Sequence, residues 1–253
     1  MNRKTLFIVL AIIVIFGGFI SVSVWQNRQS HASYTLDDIK AMTQKIDFSQ
    51  YAVDEVIAAD KNSGNMQENI KGDPNAPVKI FEYADYQCGH CASLNPALNK
   101  IVEDYDGKVA VVFRTYVMSY HKNGVLTAAA ANAAAKQGYW VAYKDILFNN
   151  QADWDNLGSS ALRKKLEDYF VEASQGNGDI NKFIGDMQDA EVYQKIAFDM
   201  GISDKAGLQW TPSVFVDGEF ISQKKNESTS YSPAEFNQMI RDKIDEKLEE
   251  KNK

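Results

Sequence analysis

The chain has 253 residues, 45 % hydrophobic and 24 % charged, a balance that supplies a core of ordinary size for one large domain or two small ones. With 27 basic against 34 acidic residues the net charge is −7, and no Lys/Arg cluster is interleaved with aromatics, which argues against a nucleic-acid partner. There are 2 cysteines and 3 histidines; His31, His90 and His121 offer no second ligand pair at finger-like spacing, so no metal site is expected.

Arg3 and Lys4 precede an uncharged run from Thr5 to Trp25 that opens Leu6-Phe7-Ile8-Val9-Leu10-Ala11-Ile12-Ile13. A bilayer crossing needs about 20 apolar residues, and the basic side stays in the cytoplasm. Residues 1–4 are thus expected as a cytoplasmic N-terminus and 5–25 as a transmembrane signal anchor, with everything beyond exported. The rival is a signal peptide cleaved near Ser21-Val22-Ser23, which would leave the chain secreted. Residues 26–69 are expected as a stalk with short helices at Leu36–Met42 and Tyr51–Ile57 and a break at 61–65.

A dense turn signal at Gly72–Pro77 opens the globular part. Val78–Tyr83 predicts a buried strand; Leu94, Leu98, Ile101, Val102 and Tyr105 recur at helical spacing, with Pro96 inside expected to kink the helix; Lys108–Val117 predicts a second strand. Strand, helix, strand implies a parallel pair with a crossover. From residue 125 to 200 only helical patterns occur, beginning with seven alanines among residues 128–135. The β pattern then returns with Trp210–Ile221, folded at Asp217-Gly218, and Ser232-Pro233-Ala234-Glu235 announces a last helix.

Both cysteines lie in Cys88-Gly89-His90-Cys91, between the first strand and its helix. A bridge over so short a loop removes little unfolded-chain entropy, so a mere staple is a poor explanation. At a helix N-terminus unpaired amides and the dipole favour a thiolate. Cys88 is therefore expected as the exposed nucleophile and Cys91, one turn in, as the resolving thiol. His90 is expected to stabilise the Cys88 thiolate by charge or hydrogen bonding, which makes the disulfide more oxidising.

Cys88-Gly89-His90-Cys91 after a strand, Pro96 in the next helix, a helical insertion and Thr211-Pro212 before a late hairpin resemble the thioredoxin superfamily, specifically DsbA-like disulfide oxidoreductases of the membrane-anchored, Gram-positive type. The resemblance implies an α/β, thioredoxin-like fold built from residues 70–120 and 201–253, with an inserted helical domain at 121–200 and the transmembrane helix in front. It implies that Thr211 and Pro212 form a cis-proline dipeptide facing the cysteines and pairing with substrate, and that Glu82 lies beneath the disulfide and assists proton transfer. Asp85 reads as a surface residue, whereas Tyr86, Tyr139 and Trp140 could line a peptide groove or belong to the core. The implied activity is insertion of disulfides into exported proteins with free thiols, by a monomer without cofactor that a membrane quinone-linked partner reoxidises. Gly-His between the cysteines is the pairing familiar from protein disulfide isomerase, so reductase and isomerase remain the alternatives. A membrane-tethered binding or chaperone module without turnover is the non-enzymatic one.

Overall fold

The structure, a computed structural model, describes residues 34–222 and 230–253. The expected cytoplasmic N-terminus (1–4) and transmembrane anchor (5–25) lie outside the described residues, as does His31. Among the described residues no helix is long and apolar enough to cross a membrane.

Five strands form one sheet in the order β1-β3-β2-β4-β5: β1 (Asn69–Lys71), β2 (Val78–Ala84), β3 (Val109–Thr115), β4 (Ser213–Val216) and β5 (Glu219–Ile221). β2 and β3 run parallel, Val78 opposite Val109 through Ala84 opposite Thr115, and the other pairs are antiparallel. A parallel pair requires a crossover, which here is α2 (Gly89–Asp104), running on through Pro96.

Side chains alternate across a strand, and the two faces of the sheet follow that period. Val78 and Ile80 of β2 pack with Leu94, Leu98 and Ile101 of α2 and with Phe236, Ile240 and Ile244 of α9 (Pro233–Lys251). Phe81 and Tyr83, the alternate positions, pack with Phe198 and Ile202 of α8 (Ala190–Lys205), which crosses the opposite face. The helical block expected from the sequence comprises α3 (Gly124–Ala135), α4 (Trp140–Asn149), α5 (Gln151–Trp154), α6 (Ser159–Ala173), α7 (Ile180–Asp186) and α8. Its centre is α3, buried on every side from Gly124 to Ala134, where alanines let α4, α7 and α8 approach closely.

The hairpin and final cap form as their residues dictate. Asp217 and Gly218 take φ of 46° and 94°, the left-handed pair of a tight hairpin turn. Ser232 Oγ accepts from the Glu235 amide at 3.3 Å while Glu235 Oε2 accepts from the Ser232 amide at 2.8 Å.

The lead-in departs from the expected stalk, because residues 34–69 are part of the folded body. The first helix does form, as α1 (Leu36–Thr43), and buries Ile39 against α8. The helix expected at Tyr51–Ile57 does not. The carbonyls of Ala52, Val53 and Glu55 instead accept hydrogen bonds from the buried Arg114 guanidinium at 3.3, 3.1 and 2.5 Å. Glu68 closes that site with Nη2 of Arg114 at 2.6 Å and Lys195 Nζ at 2.9 Å, its side chain only 2 % exposed. Asn69–Lys71 then adds an edge strand that the sequence pattern does not announce.

Candidate active site

β2 ends at Ala84, and the turn Asp85-Tyr86-Gln87 delivers Cys88 to the N-cap of α2 in an extended conformation, φ −78° and ψ 118°. No side chain caps that helix end, so the first amides are available to sulfur. Cys88 and Cys91 are both free thiols, and both are buried, Cys88 6 % exposed and Cys91 fully enclosed. The expected contrast in access is therefore small; the contrast in ionisation is large.

The Cys88 thiol is lowered from 9.0 to about 6, chiefly by the hydrogen bond from the Cys91 thiol. Burial works against this, while the Thr211 side chain and the backbone amides of Cys91 and His90 work with it. In the dithiol, Cys88 Sγ donates to the Thr211 carbonyl at 3.4 Å. The Thr211 hydroxyl has no partner at hydrogen-bonding distance, which leaves it free to turn toward a thiolate. Cys91 moves the other way, well above 9.0, because burial penalises its charge and the Cys88 thiolate adds to that. One sulfur is thus made a nucleophile at neutral pH and the other is kept protonated.

The Thr211-Pro212 peptide is cis, and the Cys88–Thr211 contact sets this dipeptide against the cysteines, on the chain that enters β4. Glu82, on β2, occupies a fully buried position where neither carboxylate oxygen finds a hydrogen-bond partner. Burial pushes its carboxyl up to about 7; the Lys144 charge opposes the rise and the Cys88 thiolate adds to it. Lys144, buried on α4, has its own affinity for a proton lowered by burial. It reaches Asn95 Oδ1 and Asn99 Oδ1 of α2, and Asp145 at 3.5 Å, whose Oδ1 both asparagine amides also engage at 2.9 and 2.8 Å. Nothing in the sequence spacing associates Lys144, 62 positions beyond Glu82, with the cysteines.

One expectation is overturned here, that of Asp85, and the other candidates are placed. The His90 ring is exposed, and the hydrogen bond by which this residue lowers Cys88 comes from its backbone amide. Asp85 is not a surface residue but fully buried, with His121 Nδ1 at 2.7 Å. Tyr86 and Trp140 are core, joined by a hydrogen bond from Trp140 Nε1 to the Tyr86 hydroxyl at 3.0 Å, and Tyr139 packs edge-on against Phe170. Their large aromatic surfaces carry no signal that separates a groove from a core. Among the described residues no three His, Cys, Asp or Glu side chains converge as a metal site.

Comparison with known proteins bears on the family and the fold. Residues 64–241 match the sequence profile of the thioredoxin family. A probable disulfide bond formation protein D of Bacillus cereus is 29 % identical over 187 residues, covering 67 % of this chain and 84 % of the relative. A Na(+)/H(+) antiporter NhaA 3 of Salinispora tropica is 28 % identical over 152 residues, 60 % of this chain, which spans only 22 % of that relative's length. Among solved structures, BdbD of Bacillus subtilis superposes with a TM-score of 0.59 at 21 % identity, covering 78 % of this chain and 98 % of BdbD. The α-DsbA1 of Wolbachia pipientis superposes with a TM-score of 0.54 at 22 % identity, over 72 % of this chain and 94 % of that one.

Proposed function

The chain belongs to the thioredoxin family, and from that premise we propose that it is a DsbA-type thiol–disulfide oxidoreductase that inserts disulfides into exported proteins through Cys88 and Cys91. The observation that carries this reading is the opposite displacement of the two thiols, Cys88 down to about 6 and Cys91 well above 9.0. At pH 7 such a Cys88 is about nine-tenths thiolate. Relative to an unperturbed thiol this favours the dithiol form by about 1.4 kcal/mol, which makes the disulfide about 30 mV more oxidising.

The cycle starts from the Cys88–Cys91 disulfide. A substrate thiolate attacks Cys88 Sγ, the Cys88–Cys91 bond breaks, and the electron pair goes to Cys91 Sγ. Glu82, with a carboxyl near 7, is partly protonated at neutral pH and matched to give Cys91 its proton. The substrate's second thiolate then attacks the substrate sulfur of the mixed disulfide and expels the Cys88 thiolate, leaving substrate oxidised and enzyme reduced. The backbone of Thr211, whose carbonyl already receives the Cys88 thiol, pairs with the substrate chain alongside Pro212. Reoxidation falls to a membrane quinone-linked partner, the protein acting as a monomer held outside the cytoplasm by residues 5–25.

The test is thiol alkylation and gel shift in growing cells, with two variants. Oxidised cysteines, loss of activity in Cys88→Ser and trapped substrate adducts on Cys88 in Cys91→Ser are expected. A pair found reduced in cells overturns the oxidase direction in favour of a reductase or isomerase, the direction that Gly89 and His90 between the cysteines would suit. Adducts on Cys91 overturn the assignment of roles.

A further inference from the structure

The turn that carries the cysteine pair also grips an imidazole. Asp85 is fully buried, and its carboxylate receives the amides of Gln87 at 2.9 Å and Met118 at 2.8 Å, with His121 Nδ1 at 2.7 Å. Its backbone carbonyl accepts the Cys88 amide at 3.0 Å. One residue thus holds the nucleophile by its main chain and a histidine by its side chain. Gly124 makes room for this: a Cβ there would stand 2.7 Å from Val117 Cγ1 and 3.1 Å from Asp85 Oδ1. His121 arrives on the connection after β3, pinned by its amide to the Met118 carbonyl at 3.0 Å, and its carbonyl accepts from Gly124 at 3.2 Å.

A buried carboxylate is tolerated when it is paired and hydrogen-bonded, and a cationic imidazole is the partner that completes this one. The groups around His121 come from every neighbouring segment. Asp85 and Cys88 belong to the β2–α2 turn; Asp155 follows α5 and is held by Gln87 Nε2 at 2.7 Å; Tyr120, 71 % exposed, stands edge-on at 4.5 Å; Lys122 on its own segment is exposed. The Asp85 hydrogen bond raises His121, burial opposes it, and the charges of Asp85, Cys88 and Asp155 raise it further. With Nδ1 committed to Asp85, Nε2 is the nitrogen available to a second group.

We propose that His121, oriented by Asp85, adds a positive charge beside the hydrogen bonds that hold Cys88 as a thiolate, the task the sequence suggests for His90. It is a positioning residue that acts through the nucleophile, and the proposal rests on the thiol–disulfide reading of the site. No bond to His121 forms or breaks. When the substrate's second thiolate cleaves the mixed disulfide, the electron pair returns to Cys88 Sγ, on the turn whose Asp85 holds His121.

The experiment is a titration of the Cys88 thiolate in the reduced full-length chain, followed by thiolate absorbance and by alkylation rate, in wild type, His121→Gln, Asp85→Asn and His90→Gln. His121→Gln should move the midpoint up by about one unit, cutting the thiolate fraction at about pH 6 roughly fivefold. Asp85→Asn should move it in the same direction, and His90→Gln by much less. Asp85 is buried, so its variant is read only after circular dichroism shows it folded; His121→Gln carries the test in either case. The coupling must also appear from the other side, as a lower ring titration of His121 by NMR in Cys88→Ser than in wild type. Superimposed Cys88 curves for wild type and His121→Gln, or a larger shift in His90→Gln, overturn the proposal. Because the titration reads the thiol without turnover, the two readings fail separately. An inactive enzyme whose Cys88 depends on His121 refutes the proposed function alone, and an active one without that dependence refutes this inference alone.

Discussion

Glu82 shows at one residue how the site trades stability for chemistry. Its carboxyl titrates near 7 in the folded chain against 4.5 for an unperturbed glutamate, so the folded state holds the proton more tightly than the unfolded state does. Below about pH 4.5 both states are protonated and there is no penalty. As pH rises toward 7 the unfolded chain releases its proton first, and above 7 the full penalty, of order 3 kcal/mol, is present. Glu82→Gln, a neutral near-isostere, should therefore raise urea stability by up to about 3 kcal/mol at pH 8 and leave it nearly unchanged at pH 4. The same variant should slow proton delivery to Cys91, within the range of about 10²- to 10⁴-fold typical of a lost general acid. A stability gain independent of pH would show that Glu82 is not the titrating group.

Among the elements, α4 determines how high Glu82 sits. Its Lys144 is the charge that opposes the burial of the carboxylate, and α2 holds that lysine through Asn95 and Asn99. Removing the ammonium in Lys144→Met should push the Glu82 midpoint above its present value near 7, moving the pH profile of mixed-disulfide formation to higher pH. An unchanged profile would mean that Lys144 serves packing alone. This arrangement also marks what the sequence can disclose. β2, α2, β3 and the β4–β5 hairpin are legible because apolar residues recur at periods of 2 and 3.6, and Cys88, Cys91, Thr211 and Pro212 are legible because their order is specific. Lys144, Asp85 and His121 are not, since a buried charged residue reads locally like a solvated one. Only the fold brings residues 82, 85, 121 and 144 to one end of the sheet. Tyr51–Ile57 misleads for a related reason: its helical spacing loses to the carbonyls that Arg114 demands.

Across the whole molecule, the lead-in before β2 is part of what keeps the sheet intact. Glu68 pairs with Arg114 of β3 at 2.6 Å and with Lys195 of α8 at 2.9 Å, and the buried Asp199 is the second carboxylate on Lys195, at 2.6 Å. The Glu68 carboxyl is held well down by those charges, so its contribution is present above the ordinary glutamate range and is lost as acid protonates it. Losing one partner of a buried pair typically costs about 3–5 kcal/mol, against a total stability of about 5–15 kcal/mol for a domain. A fragment of residues 34–253 should therefore unfold cooperatively in urea, whereas residues 70–253, deprived of Glu68, Ile39 and the first residue of β1, should be largely unfolded before denaturant is added. Glu68→Gln in the longer fragment separates charge from chain length. It keeps every covered surface and removes only the anion, so it should lie between the two. If residues 70–253 melted at the same urea midpoint as residues 34–253, the lead-in would be the spacer its sequence resembles, and Asp199, already on Lys195, would be compensation enough for the buried cations.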